Sequence, residues 1–181
     1  MNLEERFEKE IVPELQENLD ISNILAVPRP KKVVVNMGIG EAKDDKDLLE
    51  EARRELAQIT GQVPNVRRAK HSEAGWGITK GDPIGLAVTL RGTRMWSFLD
   101  KIVKAALPRV RDFQGVKKTA FDGHGNYSLG FKDHTIFPEM DADEVDRSKG
   151  LQVTIVTSTE SDQEGYALLS ALGFPFIEEE S

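Results

Sequence analysis

The feature that most restricts the fold is one strong helical period set between short β-branched runs. The segment "DKDLLEEARRELAQITG" (residues 45–61) places Leu48, Leu49, Ala52, Leu56 and Ile59 on one face, carries acids in its first turn and ends on Gly61. A helix of this kind must bury its apolar stripe against another element. Suitable neighbours flank it: "KKVVVNMG" (31–38) ahead, then "QVPNVRRAK" (62–70) and "PIGLAVTLRG" (83–92), all with the composition of strands. A second helical period, "TRMWSFLDKIVKAALPRV" (93–110), turns Trp96, Leu99, Ile102, Val103 and Ala106 toward the core, with Thr93 as candidate N-cap.

"VKKTAFDGHGNYSLGF" (116–131) has a turn cluster between two β-type runs and is expected as a hairpin, followed by a strand in "GLQVTIVTS" (150–158). "SDQEGYALLSALG" (161–173) is a helix opened by a capping box from Ser161 to Glu164 and closed by Gly173. At the other end, "NLEERFEKEIVPELQENL" (2–19) sets Phe7, Ile11 and Leu15 on one face of a helix that Pro13 kinks or divides. The order contains β-α-β-β-α-β, the pattern of a ferredoxin-like split unit. The expected fold is therefore α+β: a ferredoxin-like or RRM-like antiparallel sheet with helices packed on one face, plus an N-terminal helix. Such a sheet leaves its other face free as a platform for RNA. A single domain over 1–181 is expected, with an N-terminal helix at 1–20, an extended loop at 66–85 and an acidic tail at 174–181 whose last four residues, "EEES", are expected to fray.

Charge narrows the function. The formal net charge is -7, yet residues 1–60 hold 9 Lys and Arg against 14 Asp and Glu, residues 61–132 hold 13 against 5, and residues 133–181 hold 2 against 12. A basic middle between acidic flanks has the form of an electrostatic footprint for a polyanion, although a grouping that folding scatters over the surface gives the same counts. Cysteine is absent, no apolar run approaches the length of a bilayer span, and the N-terminus is acidic. A soluble, cytoplasmic protein is expected.

Two motifs invite catalytic readings that their surroundings oppose. "NMGIGEA" has Gly38 and Gly40 between a strand and a helix but lacks the third glycine of a dinucleotide loop, and Asp44, Asp45 and Asp47 crowd the helix entrance where a pyrophosphate would sit. "FDGHGN" sets Asp122 near His124, but the same residues are ordinary turn formers, and no nucleophile motif accompanies them. His71 and His134 are equally isolated in sequence, which opposes a zinc site. No enzyme activity, cofactor or metal is expected.

The basic residues differ in kind. Arg67, Arg68 and Lys70 stand at the base of the loop 66–85, Lys80 lies beyond its tip, and Arg91, Arg94, Arg109, Arg111, Lys117 and Lys118 follow. Arginine forks and lysine point charges suit phosphates, and Gly75, Gly77 and Gly81 allow a nucleic-acid backbone to approach closely. A loop this long is usually functional or disordered. Trp76 within it either stacks on an exposed base or anchors back into the core. Asn36, Gln62 and Thr89 lie at strand ends, where each could donate to RNA or close a turn.

The blocks "EIVPEL", "VPRPKKVVVNMGIGEA", "ELAQITGQVPNVRRAKHS", "GDPIGLAVTLRG", "MWSFLDKIVKAALPRVRDFQGV", "FDGHGNYSLGFKDHTIFPEMDAD" and "GLQVTIVTS" together resemble, nearly end to end, the bacterial-type universal large-subunit ribosomal protein five family, whose members hold 5S rRNA in the central protuberance. The resemblance implies a structural constituent of the large subunit without enzymatic activity. It implies 5S rRNA contacts at Asn36, Gln62, Thr89 and Arg91, to which the neighbouring Arg94, Arg67, Arg68 and Lys70 add basic charge. It further implies a loop facing P-site tRNA, with Ser72, Gly75, Trp76 and Lys80, and a bridge to a small-subunit head protein near Arg109, Arg111 and Asp112 and near "FPEMDAD". The other implied partners are 23S rRNA and neighbouring central-protuberance proteins; no membrane is implied.

This chain departs from that pattern in places. His71, Glu73 and Trp76 stand where relatives carry further basic and aliphatic residues, Thr79 lies near a common arginine, Arg67 replaces a small hydroxyl residue and Asn65 an apolar one. Its loop is therefore less basic at the tip and more basic at the base. Family members tend to be basic overall, so the acidic flanks need a separate cause: adaptation to a salt-rich cytoplasm or contact with basic ribosomal proteins. The first cause predicts a melting temperature that rises with salt. The alternative function is an acidic protein–protein interaction module with incidental RNA binding.

Overall fold

Five runs extend into strands: β1 (Pro30–Gly38), β2 (Asn65–Arg68), β3 (Pro83–Leu90), β4 (Tyr127–Phe131) and β5 (Leu151–Thr157). The computed structural model describes residues 1–177, and the expected fraying of the last four residues lies outside the described residues. The strands form one antiparallel sheet in the order β2-β3-β1-β5-β4, which makes the fold α+β, as expected. The first strand stands near the centre and the β2/β3 pair lies on one side of it, as a split β-α-β-β-α-β unit requires. β2 and β3 pair with Asn65 opposite Ala87 and Arg67 opposite Gly85, and the register shifts between Arg67 and Arg68.

The first arm of the hairpin expected at 116–131 is not a strand. Residues Lys118–Ala120 form a 3-10 turn, and isolated bridges join Val116 to Phe176 and Phe121 to Tyr127. Aromatic packing holds this segment in place of a ladder: the Phe121 ring lies 4.7 Å from Tyr127, and the Tyr127 hydroxyl donates to the Lys117 carbonyl at 2.6 Å.

The helices follow their capping signals with two exceptions, at Thr93 and in the capping box of the last helix, where the Ser161 amide donates to the Thr159 hydroxyl oxygen and not to Glu164. α1 (Leu3–Arg6) starts at Asn2, whose side chain accepts from the Glu5 amide, and continues through a π turn (Phe7–Ile11) into α2 (Val12–Asn18). α3 (Lys46–Thr60) is capped by Asp45 and ends on Gly61 at φ +72°. α4 (Gly92–Lys101) is the first exception, because Thr93 lies inside it and Arg91 occupies the cap position without a side-chain bond. Gly92 adopts φ +57°, a left-handed conformation that turns the chain out of β3 and starts the helix before the threonine. α5 (Asp162–Leu172) is capped by Ser161 and ends on Gly173.

Proline shapes both long helical segments alike. A π turn ends directly before Val12-Pro13, and another (Ile102–Ala106) ends directly before Leu107-Pro108. Proline has no amide hydrogen and its ring collides with the carbonyl four residues back. The wider turn, in which Val12 donates to Phe7 and Leu107 to Ile102, moves the ladder out of its way.

The chain divides into two compact units. The first comprises Met1–Val33, Arg91–Leu129 and the chain from Thr154 onward; the second comprises Val34–Leu90 and Gly130–Val153. In the first, Phe7, Ile11, Leu15, Phe98, Leu99, Ile102, Leu168 and Leu169 are buried, and the Phe7 and Trp96 rings lie 5.0 Å apart. In the second, Val35, Met37, Leu56, Ile59, Leu86, Leu90 and Phe137 are buried. Strands β1 and β3 approach so closely there that a Cβ on Gly85 would stand 2.8 Å from the Met37 carbonyl oxygen.

Candidate nucleic-acid interface

In the second unit, strand alternation sorts the sheet residues by face. Val35 and Met37 of β1 are buried, whereas Asn36 and Gly38 are exposed and Val34 is half-buried. On β3, Gly85 to Val88 and Leu90 are buried and Thr89 is half-buried; Thr89 keeps step with Gly85 and Ala87, which stand opposite Arg67 and Asn65 of β2. Asn65, Arg67 and Thr89 therefore share one face, and both β2 residues reach solvent on it. Gln62 is half-buried, and its amide donates to the Thr89 carbonyl at 3.2 Å. Four of the residues expected to meet 5S rRNA, Asn36, Gln62, Thr89 and Arg67, are thus fixed on or beside the sheet by β pairing and by the end of α3. Arg68 and Lys70 continue outward and are exposed, with Arg68 donating to the Gly81 carbonyl at 3.0 Å.

The long loop is a hydrogen-bonded extension of the β2/β3 hairpin. The Ala69 amide donates to the Asp82 carbonyl and the Gly81 amide returns to Ala69, each at 2.9 Å. Further out, Glu73 and Ile78 exchange bonds of 2.8 and 3.1 Å around a 3-10 turn, Ala74–Trp76. The Ser72 hydroxyl accepts from the Lys80 amide at 2.9 Å, and Asp82 accepts from the Thr79 amide at 2.8 Å. At the apex, Trp76 is 79% exposed, so of the two readings open to it the structure selects the solvent-facing one. Gly75 beside it has no atom within 4 Å of a built Cβ, which leaves its backbone open to a ligand.

In the first unit, Arg91 and Arg94 are exposed at the start of α4. Arg109 closes a 3-10 turn, and Arg111 and Asp112 follow it, all three exposed, with Asp112 at φ +54°. Aspartate is among the few residues that tolerate this left-handed conformation, so the turn forms here without a glycine.

The "FDGHGN" segment is a built turn. Asp122 accepts from the amides of His124 and Asn126 at 2.8 and 3.1 Å, while Asp162 accepts from Gly123 and Gly125 at 3.1 and 2.8 Å. Burial raises the Asp122 carboxyl, but the bonds from Asn126 and His124 outweigh it and hold the group below its usual range. His124 itself is exposed at the tip. Both carboxylates are engaged with backbone amides, which leaves neither poised for proton transfer.

His134, isolated in sequence, is not isolated in the structure. It is fully buried; its Nδ1 accepts from the Lys149 amide at 3.1 Å, and its Nε2 lies 3.3 Å from Glu55 Oε2. The Lys149 ammonium bridges Glu51 and Glu55 at 3.0 and 2.9 Å. Sequence spacing misses this cluster because its members lie far apart along the chain. It misses Lys43 as well, whose ammonium reaches the loop apex and donates to the Gly77 carbonyl at 2.7 Å. The available signal was a lysine among acids in "GEAKDDKD". Among the described residues, no group of three or more His, Cys, Asp or Glu is placed to hold a metal, and no helix is long and apolar enough to cross a membrane.

The fold is an antiparallel α+β sheet that presents Asn65 and Arg67 to solvent beside the half-buried Thr89. The family model described as ribosomal protein L5 matches residues 23–78, and the one describing the C-terminus of that ribosomal family matches residues 83–176. The large ribosomal subunit protein uL5 of Rubrobacter xylanophilus is 52% identical over 174 residues, covering 96% of this chain and 97% of the relative. That of Halothermothrix orenii is 51% identical with the same coverage, and that of Chloroflexus aurantiacus is 50% identical over 97% of this chain and 98% of its own. The chain belongs to the uL5 family of large ribosomal subunit proteins. Its role is structural and not enzymatic.

Proposed function

We propose that this ribosomal component binds 5S rRNA, with Asn36, Gln62, Thr89, Arg91, Arg94, Arg67, Arg68 and Lys70 as its contacts. The observation that carries the reading is the face shared by Asn65, Arg67 and Thr89, where the amide and the guanidinium are exposed and the threonine is half-buried beside them. Guanidinium groups suit phosphate oxygens, and amides and hydroxyls suit base edges and ribose hydroxyls. The loop apex, with Ser72, Gly75, Trp76 and Lys80, faces P-site tRNA, where an exposed indole can stack on a base or ribose. Arg109, Arg111 and Asp112 face a small-subunit head protein, and 23S rRNA and the other central-protuberance proteins complete the surroundings.

The test is binding of the purified protein to 5S rRNA across a salt series, with a scrambled duplex as control. Selective binding that weakens steeply with salt, and is lost in Arg91→Glu, is expected. Equal affinity for both RNAs, untouched by Arg91→Glu, would favour an acidic protein–protein module instead.

A further inference from the structure

The geometry points to Lys43 as a positioning residue for the loop apex, one that fixes the conformation in which Trp76 is presented to RNA. The inference rests on the proposed tRNA-facing role of that apex and adds the group that orders it.

Within the apex the Trp76 amide donates to the Glu73 carbonyl and the Gly77 amide to the Ala74 carbonyl, each at 3.1 Å, inside the Glu73–Ile78 pair. The 3-10 turn covers Ala74–Trp76, Gly77 follows at φ +60°, and every residue from His71 to Gly77 is exposed. A turn so exposed buries little apolar surface, and the Trp76 indole, 79% exposed, does not anchor it to the core. Lys43 supplies an outside restraint. It ends the 3-10 turn Gly40–Lys43 that follows β1, and its ammonium donates to the Gly77 carbonyl at 2.7 Å and lies 3.5 Å from the Trp76 carbonyl. Its ion pair with the adjacent Asp44 is loose, at 3.8 Å, and the Lys43 side chain is 22% exposed. A charged donor on two successive carbonyls forms stronger bonds than a neutral one. It also sits where those carbonyls would otherwise face solvent.

The neighbourhood is shaped around this contact. A Cβ on Gly77 would stand 3.0 Å from Lys43 Nζ, so glycine at 77 both adopts the left-handed turn and leaves room for the ammonium. With both carbonyls held, the chain at the indole is fixed, and Trp76 reaches solvent from a preset backbone. Binding of RNA then requires little further ordering of the loop, which preserves affinity.

The experiment compares the full-length protein with Lys43→Met, Lys43→Arg and Trp76→Ala. In the free proteins, hydrogen exchange at the Gly77 and Ile78 amides is measured; for RNA, affinity for deacylated tRNA is measured by filter binding, with Trp fluorescence quenching as a second readout where the indole is kept. Lys43→Met is expected to accelerate exchange at these amides and to weaken tRNA binding by about threefold to tenfold, while 5S rRNA affinity stays unchanged. Lys43→Arg restores both. Unchanged exchange in Lys43→Met would overturn the restraint itself. A Trp76→Ala protein that binds tRNA as well as the parent would instead overturn the tRNA-facing reading, and with it the RNA role of Lys43, whatever the exchange shows. An equal loss of 5S rRNA affinity in Lys43→Met would mean general unfolding and also overturn the inference.

Discussion

The Gln62 side-chain amide donates to the Thr89 main-chain carbonyl at 3.2 Å, fastening the residue just past α3 to the end of β3. A side chain held this way has a fixed direction. Gln62→Leu is expected to lower stability by about 1 kcal/mol and 5S rRNA affinity roughly tenfold. Urea denaturation and filter binding check the two effects separately; a stability loss with full affinity would make the amide a fold element only.

The Lys149 cluster predicts pH dependence at both extremes. The hydrogen bond from Lys149 holds the Glu51 carboxyl below its ordinary value of 4.5. Burial opposes the charge of Lys149, but hydrogen bonds to Glu55 and Glu51 outweigh it and leave the ammonium above 10.5. A depressed carboxyl contributes stability that is complete above its unfolded value and is lost as pH falls through the folded one, so the Glu51 contribution disappears below about pH 4.5. A raised ammonium contributes below its unfolded value and loses that contribution as pH climbs past 10.5. Lys149→Met leaves two carboxylates facing each other and is expected to cost roughly 3 kcal/mol at neutral pH, with a shallower loss on acidification, as urea melts at several pH values would show.

Tyr127 adds an alkaline limb in the first unit. Burial pushes its hydroxyl up to about 12 from 10.0. The neutral form is the one the fold accepts. With the folded value above the unfolded one, its contribution is intact below pH 10 and lost between pH 10 and 12, on the order of 2 to 3 kcal/mol. Tyr127→Phe should remove this slope and cost about 1 kcal/mol at neutral pH for the bond to Lys117. Thermal melts from about pH 8 to about pH 11.5 in the two proteins provide the comparison.

The turn at 122–126 separates a structural role from a chemical one. Gly125 has φ +76°, and a Cβ there would stand 2.8 Å from the Thr159 carbonyl oxygen. Gly125→Ala is expected to destabilise by about 2 to 3 kcal/mol. His124→Ala at the exposed tip should stay within about 0.5 kcal/mol of the parent and leave 5S rRNA binding intact. A large loss of binding in His124→Ala would reassign the histidine to the interface.

Local chemistry made α3 and α5 legible, because Asp45, Gly61, Ser161 and Gly173 each act within a turn of the helix end they close. The same locality failed at Thr93, where a better side-chain cap lost to the left-handed backbone that Gly92 supplies. It failed again at 116–121, where β-type composition met a tyrosine hydroxyl and an aromatic cluster contributed by residues well downstream. At the interface, basic charge was visible from counting, but the shared face of Asn65, Arg67 and Thr89 depends on strand register, which no local signal sets. Trp76 was undecided from sequence because an indole in a loop serves either side of the surface equally well. Lys43 and the Glu55–His134–Lys149 cluster were hidden for a simpler reason: each joins segments that only the folded chain brings near.

The strand order also carries a consequence for how the chain is made. β1 ends at Gly38, yet one of its two partners, β5, begins only at Leu151. During synthesis the early residues can gather around β2 and β3, while the other edge of β1 stays unpaired until the final strand emerges. That edge is the segment most in need of shielding in a nascent chain, since open strand edges pair readily with other chains. Pairing so distant in sequence also slows folding. A protein built for the ribosome thus leaves its own central strand waiting for a partner that begins only at Leu151.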